Sequence, residues 1–493
     1  MTLVAPLADV SSFLGRSHRL WIGGQWEDAA DGRTFVTDNP ATGNPLATVA
    51  RAGAGDVDRA VRAARRAFDD GRWSAMAPSA RSRIVWRIGD LILEHTEELA
   101  QLETLDNGKP LSVARAGDVP MAADLFHYMA GWVTKLEGNT LPVSLPGEFH
   151  AYTRREPVGV VGQIVPWNFP LALAAWKLAP ALATGNCIVL KPAEDTPLTA
   201  LRLAELIAEA GVPDGVLNVI TGFGEDAGAA LVAHDDVDKV SFTGSTEVGR
   251  SLVRAAAGNL KRLTLELGGK SPNIILEDAD VEAAIRGAAD GIFFNQGEAC
   301  VAGSRLFVHR RIADDVVAGI ADIARQMRLG DGMALDTEMG PVVSQTHQNR
   351  VSGYIRAGLE EGATLVAGDE GTPEGGWFVR PTVFSGVRPD MRIVREEIFG
   401  PVVSVTSFDD DDQAVAMAND TRYGLAAGIW GRDLSRVHRL AARIKAGTVW
   451  VNCYGVLDAS MPFGGYKESG WGREHGHQVL SEYTETKSVC IQL

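Results

Sequence analysis

The chain has 493 residues, 45% of them hydrophobic and 22% charged, a globular composition long enough for roughly three domain-sized units. A formal net charge of −16 without any basic stripe argues against nucleic acid or an anionic membrane as partner. Cys187, Cys300, Cys453 and Cys490 are scattered and form no Cys-x-x-Cys pair, which fits neither a zinc site nor a disulfide framework and points to a reducing, cytoplasmic setting.

The N-terminus, Met1 to Leu7, lacks the positive region and apolar run of a signal peptide. Turn-rich pieces follow at Trp21 to Trp26 and Asp38 to Gly43. A helix is predicted from Asp56 as N-cap, with Val57, Val61, Ala64 and Phe68 on one face. A longer amphipathic helix is predicted from Ser79 to Leu105, with Asn107-Gly108 as its C-terminal cap. From Tyr152 the texture changes. Strands at Val158–Val165, Cys187–Leu190, Val216–Ile220 and Lys239–Phe242 alternate with helices at Leu171–Leu182, Thr199–Ala210 and Asp226–Ala233. That alternation specifies parallel βαβ units covered on both faces, an α/β fold. The apolar run Phe169 to Leu190 is interrupted by Lys177, Pro180 and Asn186, so it reads as a buried helix and strand instead of a membrane span. A second alternating region runs from Ser271 to about Val451. The acidic run Asp409 to Asp412 precedes a helix and suits its N-terminus better than a cation. His475 and His477 have no third ligand nearby in sequence and read as a surface turn, so no metal is expected.

Chemistry concentrates at two places. Cys300 closes the segment Phe293 to Ala299, and Glu266 ends a strand-like run, Lys261 to Leu267, just before Gly268-Gly269. A nucleophile and a base, each on an apolar platform beside glycine, are what covalent catalysis through sulfur requires. Three glycine-rich loops compete for phosphate. Gly222 to Ala227 formally matches a dinucleotide fingerprint. Gly269-Lys270-Ser271 resembles the end of a Walker loop, but Thr264 stands where its first glycine belongs. Phe242 to Gly249 joins a strand to a helix start, where Gly244 permits a tight turn and Ser245 offers a hydroxyl. On local chemistry alone a capped helix without ligand explains that loop equally well.

Pro166-Trp167-Asn168-Phe169-Pro170, Lys191-Pro192-Ala193-Glu194, Phe242-Thr243-Gly244-Ser245, Glu266-Leu267-Gly268-Gly269-Lys270, Asn295-Gln296-Gly297 with Cys300, Glu397-Ile398-Phe399-Gly400-Pro401 and Pro462-Phe463-Gly464-Gly465 occur in that order. Together they resemble the NAD(P)-dependent aldehyde dehydrogenase superfamily of the hydrolytic, non-acylating type, from about Leu20 to Ile491. The resemblance implies a Rossmann-like cofactor domain at 1–135 and 157–267, an α/β catalytic domain at 268–468, and a small β oligomerisation unit at 136–156 and 483–493. It implies that the hairpin pairs with a partner subunit's C-terminal strand in a homo-oligomer, dimer or tetramer.

It further implies oxidation of an aldehyde to a carboxylic acid through a cysteine thiohemiacetal and thioester. Cys300 would be the nucleophile, Asn168 the oxyanion donor and Glu266 the base that activates water, its pKa raised by its apolar flanks. The alternatives are a CoA-acylating relative, which characteristically lacks such a glutamate, and a non-catalytic nucleotide-binding oligomer. The cofactor would be NAD ahead of NADP, because Glu194 with Lys191 would bind free ribose hydroxyls and repel a 2′-phosphate. Gly244, Ser245 and Val248 would hold the phosphates, Gly224 would lie near the adenine, Glu397 and Phe399 would hold the nicotinamide ribose, and Ile164, Trp167 and Gly268 would line the rest. Phe169, Trp176, Phe294, Tyr454, Leu457 and Phe463 would form an apolar substrate mouth suited to a hydrophobic or arylalkyl aldehyde. Glu474 matches a glutamate of proton transfer in some members but reads equally well as a surface ion pair. Lys177 is a candidate for orienting the catalytic amide, and Glu298 puts a charge two residues from Cys300.

Overall fold

The computed structural model describes residues 3–493. Five parallel strands lie side by side in the order Arg262–Glu266, Lys239–Thr243, Val160–Ile164, Cys187–Lys191 and Leu217–Val219. Gly470–Trp471 extends one edge antiparallel, and Leu20–Ile22 with Gln25–Glu27 extends the other. Every residue of the Val160 and Cys187 strands is buried, with helices Ala54–Asp69 and Pro170–Ala183 packed on the sheet. From Val160–Ile164 the chain steps outward through Cys187 and Leu217, then returns to the opposite flank at Lys239. The strand order therefore reverses between Val160–Ile164 and Lys239–Thr243. At such a reversal the loops leaving the carboxyl ends part and open a crevice. Here those loops are Val165 to Phe169 and Gly244-Ser245.

A second sheet runs Thr364–Ala367, Thr382–Ser385, Val402–Phe408, Arg305–His309, Pro272–Ile275, Ala426–Trp430 and Thr448–Val451, parallel except at its first strand. Adjacent strand residues point to opposite faces. Accordingly Ile275, Leu306 and Val308 pack in one apolar layer, and Ile274, Phe307 and Ile429 in another.

The third sheet corrects an expectation. Thr484–Gln492 pairs antiparallel with Phe149–Pro157 of its own chain, in register from Thr484 opposite Pro157 to Gln492 opposite Phe149, and Thr140–Leu141 flanks it. The strand is tethered beside its intrachain partner. Tyr483 is buried, its carbonyl accepts Asn186 Nδ2 at 3.0 Å, and the Val158 amide donates to it at 3.2 Å.

Helix boundaries shift for local reasons. The first predicted helix begins at Ala54, with Gly53 as N-cap; Asp56 lies one position past the first two helical residues and accepts the Gly53 amide at 2.8 Å. The predicted Ser79–Leu105 helix is two, Pro78–Glu94 and Thr96–Asn107, broken at His95. Thr96 Oγ1 donates to the Leu93 carbonyl at 2.6 Å, a side-chain bond that competes with the helical ladder. Gly108, at φ 97°, ends the second helix as its cap. Gly224–Gly228 forms a wide π turn before a short helix, Ala229–Ala233. Asp410 caps helix Asp411–Asn419, accepting the Gln413 amide at 2.9 Å. No helix among the described residues is long and apolar enough to cross a membrane.

Candidate active site

Cys300 sits on a loop whose backbone is set by strain. After helix Val281–Phe293, Asn295, Gln296 and Gly297 take φ of 50°, 58° and 70°, a left-handed run that side chains other than glycine adopt only where surroundings enforce it. Gly297 lies against Gly400, where a Cβ would stand 2.3 Å from the carbonyl carbon. Asn295 Nδ2 donates to the Asn168 carbonyl at 3.0 Å and the Glu298 carbonyl at 3.2 Å, and Asn168 Nδ2 donates to the Glu298 carbonyl at 2.9 Å. The cysteine loop and the Trp167–Pro170 turn are thus tied to each other. One Asn168 N–H is left for another acceptor. Tyr454 braces the same loop from its far side, its hydroxyl donating to the Val301 carbonyl at 2.7 Å.

A cleft of about 260 Å³ brings together Trp167, Asn168, Gly244, Ser245, Gly268, Cys300, Glu397 and Phe399, and adds His347 and Arg350, which the sequence reading missed. Burial pushes the half-buried Cys300 thiol up to about 12, and the carboxylates of Glu266 and Glu397 add to the shift. The charge expected beside it from Glu298 is directed elsewhere. That carboxyl is buried, accepts the Val343 amide at 3.0 Å, and is driven by burial well above the usual carboxylate range.

Glu266 ends its strand with its side chain buried and Oε2 without a partner. Burial raises its pKa well above the ordinary value, and Glu474 raises it further against the pull of Lys177 and Arg473. Glu474 is not a surface residue. A two-way backbone pairing with Phe463, each amide donating at 2.8 Å, folds this segment inward, and Lys177 Nζ donates to the buried Glu474 Oε1 at 2.6 Å and to Ser241 Oγ at 3.1 Å. Lys177 therefore serves Glu474, not the Asn168 amide. His475 also departs from the expected surface turn. It is buried against Trp176, ring centroids 4.0 Å apart, and burial lowers its pKa to about 4.

The crevice offers what a dinucleotide needs. Ser245 caps helix Thr246–Ala255 by accepting the Val248 amide at 3.2 Å, and the remaining amides of the helix start face the crevice mouth with the chemistry to hold an anion. A Cβ on Gly244 would stand 2.4 Å from Phe242 Cζ, so a side chain there would have to displace the Phe242 ring. Lys191 Nζ donates to Glu194 at 3.1 Å. The Gly224–Gly228 turn packs on the same corner, since a Cβ on Gly228 would lie 3.6 Å from Lys191 Cδ and 4.0 Å from Ile164 Cδ1. Val248 is exposed on the helix above. Across the cleft Glu397 Oε1 accepts the Gly269 amide at 2.8 Å, and Phe399 meets Trp167 edge-on at 5.2 Å. Burial lifts the Glu397 carboxyl to about 7.

Among the expected mouth residues, Phe169 stacks with Phe294 at 6.1 Å and Trp176 meets Phe463 at 5.2 Å. Leu457 packs against the apolar cluster that also touches Phe169 and Cys300. No motif in the sequence marks Glu103, Lys109 or Asp118, which lie buried beneath Asn168. Acids inside the leucine-rich run Leu99 to Leu105 were the available signal.

Residues 26–489 match the family model described as "Aldehyde dehydrogenase family". The chain is 50% identical over 480 residues to the phenylacetaldehyde dehydrogenase of Pseudomonas fluorescens, covering 96% of each. It superposes on the NAD+ complex of an aldehyde dehydrogenase from Bacillus cereus with TM-score 0.98 at 52% identity, covering 100% of both chains. An indole-3-acetaldehyde dehydrogenase complexed with NAD+ is similar at TM-score 0.96 and 46% identity, covering 99% of this chain and 100% of that one.

Proposed function

The chain belongs to the aldehyde dehydrogenase family, and we propose that it oxidises a hydrophobic or arylalkyl aldehyde to the free carboxylic acid through a thioester on Cys300. Its cofactor is NAD. The observation that carries the reading is the convergence of Cys300, Asn168, Gly244, Ser245, Gly268, Glu397 and Phe399, distant in sequence, around one cleft. Lys191 and Glu194 would hold the adenosine ribose, the capped helix start the phosphates, and Glu397 the nicotinamide ribose. When bound there, NAD supplies the hydride acceptor. The chain supplies the rest. Cys300 loses its thiol proton to water, the resulting thiolate attacks the carbonyl carbon, and the free Asn168 N–H with the Cys300 amide takes the developing oxyanion. After the thioester forms, Glu266 removes a proton from the attacking water, and the thiolate leaves as the acid forms. A carboxyl whose pKa burial raises is a stronger proton acceptor once ionised than an exposed one, which suits it to that transfer.

The apolar pairs Phe169–Phe294 and Trp176–Phe463 support an apolar substrate, as does similarity to a phenylacetaldehyde dehydrogenase. We further propose a cytoplasmic homo-oligomer. Four free cysteines fit a reducing compartment, and the exposed edge at Thr140–Leu141 with exposed Leu145, Ile491 and Leu493 leaves sheet edge and apolar surface that a second copy would cover. An aldehyde panel with NAD or NADP, read by reduced-nicotinamide absorbance without CoA, tests the function. Phenylacetaldehyde should turn over with NAD and fail in Cys300→Ala; turnover by that variant, or an absolute need for CoA, refutes the scheme. Elution as a monomer in sizing chromatography refutes the oligomer.

A further inference from the structure

The turn carrying Asn168 is gripped from beneath by a charged cluster that the scheme above does not use. Lys109 follows the Gly108 cap and is wholly buried, as is Glu103, with Asp118 nearly so. Lys109 Nζ donates to Glu103 Oε1 at 3.3 Å, to Asp118 Oδ2, and to the backbone carbonyl of Asn168 at 3.1 Å. The same ammonium lies 4.4 Å from the centre of the Phe169 ring. Glu103 Oε2 in turn accepts the Leu171 amide at 3.3 Å, one of the donors left open at the first turn of helix Pro170–Ala183. Asn107 Nδ2 donates to the Trp167 carbonyl at 3.0 Å. Trp167, Asn168, Phe169 and Leu171 are therefore all held by residues from one short stretch of chain.

Stability is a poor explanation for such a cluster. Desolvating one ammonium and two carboxylates costs as much as their attraction returns, and apolar residues of similar volume would pack as well. What the cluster provides is direction. Apolar packing tolerates rotation of the turn, whereas an ammonium fixed by two carboxylates donates to the Asn168 carbonyl in one place only. With Asn295 on the same carbonyl at 3.0 Å, the peptide plane is set from two sides, and the side-chain amide aims at the cysteine loop.

We propose that Lys109 is a positioning residue for the oxyanion amide, holding Asn168 through its backbone carbonyl with Glu103 and Asp118 as its anchors. The proposal rests on the reading of Asn168 as the oxyanion donor, and the test separates the two. Lys109→Met and Asn168→Ala are made singly and together in the full-length enzyme, and kcat, aldehyde KM and NAD affinity are measured for each. Lys109→Met should lower kcat about 100-fold, the cost of a misplacement of about 1 Å at the reacting centre, while NAD affinity stays within about threefold. In the Asn168→Ala background the same substitution should lower kcat less than about threefold, because the group it positions is gone. An equal loss in both backgrounds, or an unchanged kcat, overturns the proposal. Wild-type turnover by Asn168→Ala alone would instead remove the reading of Asn168. If Lys109→Met does not fold, Glu103→Gln, which keeps the shape and loosens the anchor, carries the same comparison: kcat should fall only where Asn168 is present, and equal losses again overturn the idea.

Discussion

Gly269→Ala displaces the nucleophile by an amount that can be worked out. A Cβ at this position would stand 2.2 Å from the Cys300 carbonyl oxygen, and φ is not left-handed, so the contact alone is at fault. Carbon and oxygen come to rest at roughly 3.3 Å, which requires a relative movement of about 1 Å. The obstacle is main chain, and Tyr454 holds the next carbonyl from behind at 2.7 Å, so the loop has no soft direction in which to yield. A 1 Å error at a reacting atom lowers the rate by about 100-fold, or about 2.7 kcal/mol of barrier. Overpacking should also cost about 1–3 kcal/mol of stability. Gly353→Ala is the control: this exposed helical position has nothing within 4 Å of the new carbon, and the change should stabilise by about 0.5–1 kcal/mol with turnover intact. Steady-state NADH formation and thermal unfolding on the three proteins decide it. Gly269→Ala with kcat within about threefold of wild type would refute the reasoning.

Glu266 carries a raised pKa because it is buried, so it ionises at higher pH than an ordinary carboxylate, and hydrolysis of the thioester should rise with pH as it deprotonates. Glu266→Gln should flatten that limb and accumulate an acyl-enzyme visible by intact mass; a steady-state rate like wild type would remove the base. A Cys300 thiol at about 12 predicts slow alkylation of the NAD-free enzyme at pH 7, rising about tenfold per pH unit as thiolate forms, and faster at fixed pH once the cationic nicotinamide is added. Site-resolved mass spectrometry separates it from Cys453 and Cys490, and a pH-independent rate would contradict the burial argument. Glu194→Ser removes the carboxylate opposite Lys191 at 3.1 Å and should raise kcat/KM with NADP while lowering it with NAD; an unchanged ratio would place cofactor choice elsewhere.

The cofactor sheet was legible because its signal is periodic and local. Apolar strands such as Val160–Ile164 and Cys187–Lys191 are buried at every residue, and continuous burial writes itself as a continuous apolar run. Failures fell where a side chain outbids a propensity. Nothing in the apolar spacing of the Ser79 to Leu105 segment says that Thr96 will bond back to Leu93. A strand's partner is equally silent in sequence: nothing in the residues Thr484 to Gln492 says that the buried Tyr483, bonded to Asn186 and Val158, will hold them beside Phe149–Pro157.

The site divides along a similar line. Residues that would touch cofactor or substrate stand beside glycines and turns, and those neighbours announce them: Cys300 after Gly297, Glu266 before Gly268, Ser245 after Gly244. Residues that hold these in place carry no such mark. Lys109, Glu474 and His475 are polar side chains that composition places at the surface, yet all three are buried. In each case the cause is a long-range contact, Lys109 to Asn168, Glu474 to Lys177 and His475 to Trp176. A buried lysine that keeps its charge needs acceptors already placed for it. Its presence therefore reports on the arrangement of other residues, and that information exists only once the chain has folded.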